Sequence, residues 1–169
     1  MDANDYTQYT YAKPRPWDNE NPDGMHKGEF ADGNFYHAHG LGDRCENYHV
    51  DFLGLEPFGC TAGDKVVYTL PSLRPTGATL LLRYRTVTPG AAAFTVNGVA
   101  AELPESDSLT FAALPYDGAD TLTLESRGGA GVELDVLVLC RPGTEQEVSA
   151  HTVLRDTKPQ IEEEKVHGA

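Results

Sequence analysis

The sequence predicts an all-β protein built as a jelly-roll β-sandwich, and three features lead to this fold class. Segments of strand length between residues 63 and 139 alternate apolar and polar side chains, so each has one apolar face. Proline and glycine turn sequences separate these segments. No window of helical length carries an apolar stripe at a spacing of about 3.6 residues. Short strands joined by tight turns are typical of sandwiches rather than of α/β enzyme cores.

Four strands come before the closing strand, and each has a predicted core face. The predicted inward side chains are, in chain order, Val66, Tyr68 and Leu70; Leu80, Leu82 and Tyr84; Phe94 and Val96; and Leu122 and Leu124. The turns are expected at Pro71, Pro75-Thr76-Gly77, Pro89-Gly90, Asn97-Gly98, Pro104 and Asp117-Gly118. These residues preset φ or tolerate a positive φ, so they reverse the chain at little cost.

The closing strand is VELDVLVL. Strict alternation predicts one face with Val132, Leu134, Val136 and Val138, and another with Glu133, Asp135, Leu137 and Leu139. Asp135 is the unusual residue, because an isolated buried carboxylate is too costly to keep ionised. We therefore expect Asp135 to be solvated, hydrogen-bonded or bound to a cation.

Length and charge limit the class of protein. A chain of 169 residues suits one domain with a real core. With 26 acidic and 13 basic residues the net charge is -13, which opposes a nucleic-acid partner. No apolar run approaches the length of a membrane span, so no membrane partner is expected. The N-terminal residues show no signal-peptide pattern, and an extracellular location is favoured only if the chain belongs to a secreted enzyme.

The two ends of the chain differ from its middle. Residues 1–25 are rich in Tyr, Pro, Asn and Asp without periodicity, and residues 142–169 end in an acidic and polar run. Both ends are expected to be linkers or wrapping tails around a sandwich domain at residues 26–141.

The three cysteines leave two alternatives open. Cys45 and Cys60 are close enough in sequence to bridge a short loop. Alternatively, the thiols pack as small apolar side chains, which the odd count and the absence of a zinc-type spacing favour.

The order of the segments resembles a known family. GDKVVYTLPSLRPTGATLLLRYRT, AFTVNG, DTLTLES and VELDVLVL follow one another as in carbohydrate-binding modules of families 6 and 35, which are galactose-binding-domain-like jelly rolls. The upstream ENYHVDFLG also resembles this family, so the likeness spans residues 27–140. It implies a non-catalytic module or accessory domain of a glycan-degrading enzyme, with carbohydrate and other enzyme domains or subunits as partners.

A structural calcium ion is also implied by the resemblance. In the family a Glu near the first strand and the Asp of the last strand bind it, and the matching residues here are Glu29 and Asp135. Calcium prefers several hard oxygen ligands, which carboxylates and loop carbonyls supply. The alternative is that Asp135 faces solvent or accepts backbone N–H bonds.

The family's sugar site uses loop aromatics that stack on pyranose rings. The candidates here are four aromatic residues, Tyr36, Tyr48, Phe58 and Tyr116, with His37, His39 and His49 as polar partners. The family often has a ligand-binding Asn before its last strand, where this chain has Arg127-Gly128-Gly129-Ala130-Gly131. This departure favours an accessory domain that has lost its sugar site.

Two further functions stay open at this point. One is a structural or interaction domain without sugar binding. The other is a metalloprotein, because His37, His39, Glu46 and His49 resemble the first metal motif of cupins, which are jelly rolls too. No second cupin motif follows, and no nucleophile or phosphate-binding motif is present, so no enzymatic activity is expected.

Overall fold

The computed structural model describes residues 1–3, 5–10, 12 and 57–151. Within this part of the chain there are eight strands: β1 (Gln8–Thr10), β2 (Lys65–Thr69), β3 (Thr79–Thr86), β4 (Ala92–Val96), β5 (Val99–Leu103), β6 (Thr110–Leu114), β7 (Thr121–Ser126) and β8 (Val132–Cys140). Residues 145–151 form a short helix, α1, which the sequence did not predict.

The strands form two antiparallel sheets that share one apolar core. The five-stranded sheet has the order β1-β2-β7-β4-β5, and the three-stranded sheet has the order β6-β3-β8. One buried cluster takes side chains from both sheets, as expected when two sheets bury their apolar faces against each other. The all-β prediction is confirmed at the level of a two-sheet sandwich.

The predicted core faces of the first four segments are confirmed. All ten predicted inward side chains are at most 5% exposed. Fully burying a Val, Leu or Phe side chain of this set stabilises the fold by roughly 1.5–3 kcal/mol relative to leaving it exposed. The Asn97-Gly98 turn between β4 and β5 also forms as predicted, with φ values of 48° and 84°.

The predicted faces of the closing strand hold only for its first half. Tyr84 pairs with Leu134 but Arg83 pairs with Val136, so Asp135 is an extra residue on β8. Residues that pair directly share a face, and beyond this bulge Leu137 and Leu139 lie opposite the core residues Leu82 and Leu80. The predicted grouping of Val136 and Val138 with Val132 and Leu134 was therefore wrong, because one inserted residue reverses the alternation.

The first residues of the chain connect the two sheets. The Ala3 backbone N–H donates to the Asp135 carbonyl at 2.9 Å, and the Thr7 N–H donates to the Val67 carbonyl on β2 at 2.8 Å. Tyr6 lies between these points and is fully buried. The described residues of this segment therefore pack on the sandwich.

Helix α1 is fastened to β3 at its first residue. The Thr79 hydroxyl donates to the Glu145 carboxylate at 3.0 Å.

The division of the chain into residues 1–25, 26–141 and 142–169 remains a prediction, because much of both end segments lies outside the described residues.

A buried carboxylate organises the chain just before β2. Asp64 is 1% exposed, and its two carboxylate oxygens accept the backbone N–H groups of Ala12 and Gly59 at 2.8 and 2.9 Å. The Ser126 N–H in turn donates to the Asp64 carbonyl at 2.7 Å. This one residue therefore connects three separate parts of the backbone.

We predict that Asp64→Asn lowers the free energy of unfolding by about 1–3 kcal/mol, because an amide has one acceptor oxygen and leaves one buried N–H unpaired. Asp117→Asn is the matched control. Asp117 accepts the Ala119 N–H in an exposed turn, where Asn makes the same bond. Urea unfolding of the three proteins measures the effect, and equal losses for both variants would contradict the role given to Asp64.

A second prediction concerns pH and Glu145. Hydrogen bonds from its own backbone N–H, the Gly143 N–H and the Thr79 hydroxyl lower the pKa of Glu145 below its ordinary value of 4.5. A lowered pKa in the folded state stabilises the protein above the ordinary value, and this contribution is lost as pH falls through the folded pKa. We expect Glu145→Gln to melt below the wild type at neutral pH, with the difference vanishing in acid. Glu147→Gln, which removes the same charge from an exposed position on the same helix, is the matched control.

Candidate functional site

Three loops gather at one end of the sandwich, here called the groove end. They are the β3–β4 loop (residues 87–91), the β5–β6 loop (residues 104–109) and the β7–β8 loop (residues 127–131). The antiparallel pairing of the strands brings them together although they are far apart in sequence. Loops carried at one end of a rigid sandwich are a common position for binding sites.

A depression of ≈ 660 Å³, here called the groove, lies between the β3–β4 and β5–β6 loops. The described residues that line it are Thr86, Val87, Thr88, Pro89, Glu105, Ser106 and Asp107. Its volume falls within the range of roughly 300–1,000 Å³ that small-molecule sites occupy. Five of these seven residues carry a hydroxyl or a carboxylate, and Val87 and Pro89 add apolar surface.

The two walls of the groove are hydrogen-bonded to each other. The Thr86 backbone N–H and hydroxyl both donate to the Ser106 carbonyl, at 2.7 and 3.0 Å. The Ser106 N–H returns a bond of 3.0 Å to the Thr86 hydroxyl oxygen. The Gly90 N–H donates to the Glu105 carboxylate. These hydrogen bonds hold the walls in place before a ligand binds, which reduces the conformational entropy lost on binding.

The glycine-rich β7–β8 loop is hydrogen-bonded to the β3–β4 wall of the groove. The Gly131 N–H donates to the Thr88 hydroxyl oxygen at 2.8 Å, and the Val87 N–H donates to the Gly131 carbonyl at 2.8 Å. A Cβ on Gly131 would stand 2.7 Å from the Pro57 Cβ, which is too close for any side chain. Backbone packing therefore accounts for a glycine at a loop where the resembling family often has a ligand-binding Asn.

Most residues predicted for function fall outside the part of the chain that the structure describes. These are Glu29, Tyr36, His37, His39, Cys45, Glu46, Tyr48 and His49. The aromatic sugar site, the cupin-type histidine cluster and the Cys45–Cys60 bridge therefore all remain predictions.

The structure describes two of the predicted ligand aromatics. Phe58 is fully buried in the core cluster, so its ring is not exposed to a ligand. The other is Tyr116. It lies in the β6–β7 loop, at the end of the sandwich opposite the groove. Its ring packs against the core, and its hydroxyl donates to the Ala119 carbonyl at 2.8 Å. The structure does not bring Tyr116 together with the groove residues, and its role in binding stays a prediction.

Asp135 has a cation beside it, and that cation is an arginine. Its Oδ2 lies 3.0 Å from Arg83 Nη1 on the outer face of the three-stranded sheet, with side-chain exposures of 23% and 12%. The Arg83 guanidinium also lies 5.9 Å from the Phe111 ring centroid. Arg85 and Glu133 form a second ion pair between the same two strands. The expectation that Asp135 is hydrogen-bonded is confirmed.

The charges around Asp135 bear on the predicted calcium site. The Arg83 guanidinium places a positive charge next to the carboxylate, which disfavours a second cation. The described residues contain no group of three or more His, Cys, Asp or Glu side chains that could hold a metal ion. Calcium bound by Glu29 and Asp135 remains a prediction, since Glu29 lies outside the described residues.

The sequence did not single out the groove residues. Thr88, Glu105 and Asp107 belong to no sequence motif that indicates binding. The β5–β6 loop carries no periodicity, and its position beside the β3–β4 loop follows only from strand pairing. Arg127 lies in the third loop of the groove end, is exposed, and donates its backbone N–H to the Ala93 carbonyl.

Comparison with protein-family models, with curated proteins and with solved structures finds no match for this chain. Among the described residues, no helix has both the length and the hydropathy that a membrane span needs.

We predict that Asp135→Ala lowers the free energy of unfolding by about 1 kcal/mol or more, because it leaves a mostly buried guanidinium with one charge partner fewer. Asp120→Ala is the matched control. Asp120 forms an ion pair with Arg74 at 2.6 Å, but its side chain is 85% exposed, so its removal should cost less. Chemical denaturation of both variants measures the loss of free energy of unfolding in each. A larger loss for Asp120→Ala than for Asp135→Ala would contradict the role of burial.

Proposed function

We propose that this chain is a non-catalytic carbohydrate-binding module, or the β-sandwich accessory domain of a glycan-degrading enzyme. The observation that carries the proposal is the groove: an open, prearranged depression lined by hydroxyls and carboxylates at the loop end of an all-β sandwich. The segment order that resembles carbohydrate-binding modules of families 6 and 35 supports the same function, and with it the jelly-roll, galactose-binding-like form of the sandwich.

The lining suits a ligand that is rich in hydroxyl groups. Sugar hydroxyls both donate and accept hydrogen bonds, so they pair with carboxylates and with threonine or serine oxygens. The described lining residues include no aromatic side chain. A ring that stacks on the sugar would have to come from the segment that holds Tyr36 and Tyr48, which keeps those two residues in the proposal.

One observation favours the second candidate, an interaction domain without sugar binding. The β7–β8 loop, where the resembling family often binds its ligand, is used here for packing, since Gly131 lies against Pro57 and Thr88. A domain that has lost this contact keeps the sandwich and needs no ligand. A cupin-like metalloprotein is supported only by the histidine pattern of the sequence.

The proposal predicts that Asp107→Ala weakens the binding of an oligosaccharide ligand about five-fold, the effect of losing one hydrogen bond worth about 1 kcal/mol. A glycan array identifies the ligand, and calorimetric titration measures the affinities. Asp117→Ala is the matched control, an exposed aspartate in a loop at the opposite end of the sandwich, and it should bind like the wild type.

Two results would contradict this assignment in different ways. If Asp107→Ala binds normally while Tyr36→Ala or Tyr48→Ala binds weakly, the sugar site is real but lies away from the groove. If a broad array finds no ligand, the domain is an interaction or accessory module without sugar binding.

A further inference from the structure

We propose that the groove selects sugars that carry a free amine, such as glucosamine units, over neutral sugars, and rejects sugars that carry a carboxylate, such as uronic acids. This inference rests on the proposed carbohydrate binding and names the class of sugar. It follows from the hydrogen-bond donors and charges that the groove walls still offer.

Most hydroxyl groups of the groove walls already donate their hydrogen to a carbonyl of the protein. The Thr86 hydroxyl donates to the Ser106 carbonyl at 3.0 Å, and the Ser106 hydroxyl donates to the Ser108 carbonyl at 2.6 Å. Both groups therefore meet a ligand with oxygen lone pairs. The Thr88 hydroxyl oxygen accepts the Gly131 N–H at 2.8 Å and lies 3.8 Å from the Cys60 Sγ, where either atom can be the donor. It is therefore the one described lining hydroxyl whose hydrogen is not already donated to a carbonyl.

The charge of the groove is negative. Its described lining holds the carboxylates of Glu105 and Asp107 and no lysine or arginine. Glu105 uses an oxygen to accept the Gly90 N–H. Asp107 is exposed and makes no hydrogen bond or ion pair with the residues that the structure describes. It is therefore the carboxylate best placed to contact a ligand.

A lining of acceptors and negative charge discriminates between classes of sugar. An ammonium group brings three donors and a positive charge, whereas a carboxylate brings only acceptors and a negative charge. A uronic acid in the groove would face like charges and leave its own acceptors unpaired. A neutral sugar lies between these two cases, because its hydroxyls supply donors without charge.

The test is calorimetric titration of the whole chain with three oligosaccharides of equal length, made of glucosamine, N-acetylglucosamine or galacturonic acid. In mildly acidic buffer of low ionic strength, the glucosamine oligomer should bind roughly two- to five-fold more tightly than its acetylated counterpart, as expected for an exposed charge pair. The galacturonic acid oligomer should bind most weakly. Added salt should reduce the difference.

A matched pair of variants distinguishes the effect of the groove on sugar affinity from the effect of the net charge. The net charge of -13 attracts any cationic sugar. The loss of a groove carboxylate must therefore be compared with the loss of a carboxylate outside the groove. Asp107→Asn should lower the affinity for the glucosamine oligomer two- to five-fold more than it lowers that for the acetylated one. Glu102→Gln, exposed on β5 and outside the groove lining, should leave the ratio of the two affinities unchanged.

Three outcomes would overturn the inference. Equal effects of Asp107→Asn and Glu102→Gln would assign the preference to the net charge rather than to the groove. If the galacturonic acid oligomer binds as tightly as the glucosamine oligomer, or more tightly, the proposed selectivity is wrong but carbohydrate binding remains. Failure of all three oligomers, together with a glycan array that finds no ligand, would remove both the selectivity and the proposed function.

Discussion

The extra residue in strand β8 is the feature on which the sandwich depends. β8 is 9 residues long and must present apolar side chains to the core at both of its ends. Strict alternation cannot do this for VELDVLVL, because it assigns Leu134 and Leu137 to opposite faces. The bulge at Asp135 turns both leucines inward, where they are 1% and 2% exposed. It also aligns the Asp135 carbonyl with the Ala3 N–H and its carboxylate with Arg83.

Polar side chains complete the backbone pairing where strands begin and end. The Asn97 amide group donates to the Thr121 carbonyl at 3.0 Å and accepts the Thr123 N–H at 2.7 Å, next to the β4–β5 turn. The Asp64 carboxylate accepts the backbone N–H groups of Ala12, which follows β1, and of Gly59, which precedes β2. Each of these groups would be costly to leave unpaired once the strands pack.

The groove combines a rigid support with a polar surface that packing does not require. Thr86 and Ser106 hold its walls together, while Asp107 takes part in no described hydrogen bond. A change at Asp107 is therefore expected to alter binding without altering the fold. This separation makes a binding role testable, because stability and affinity can be measured on the same variant.

Composition and periodicity determined the all-β class, the turn at Asn97-Gly98 and the core faces of four strands, because these depend on neighbours along the chain. They also marked Asp135 as a residue that must be solvated, hydrogen-bonded or bound to a cation. Only the tertiary structure decided that its partner is Arg83 and that β8 changes face at this point. The groove likewise depends on strand order, since pairing across the sheets sets the Thr88 and Asp107 loops side by side. Local patterns carry no record of pairings between distant segments, and both β8 and the groove are products of such pairings.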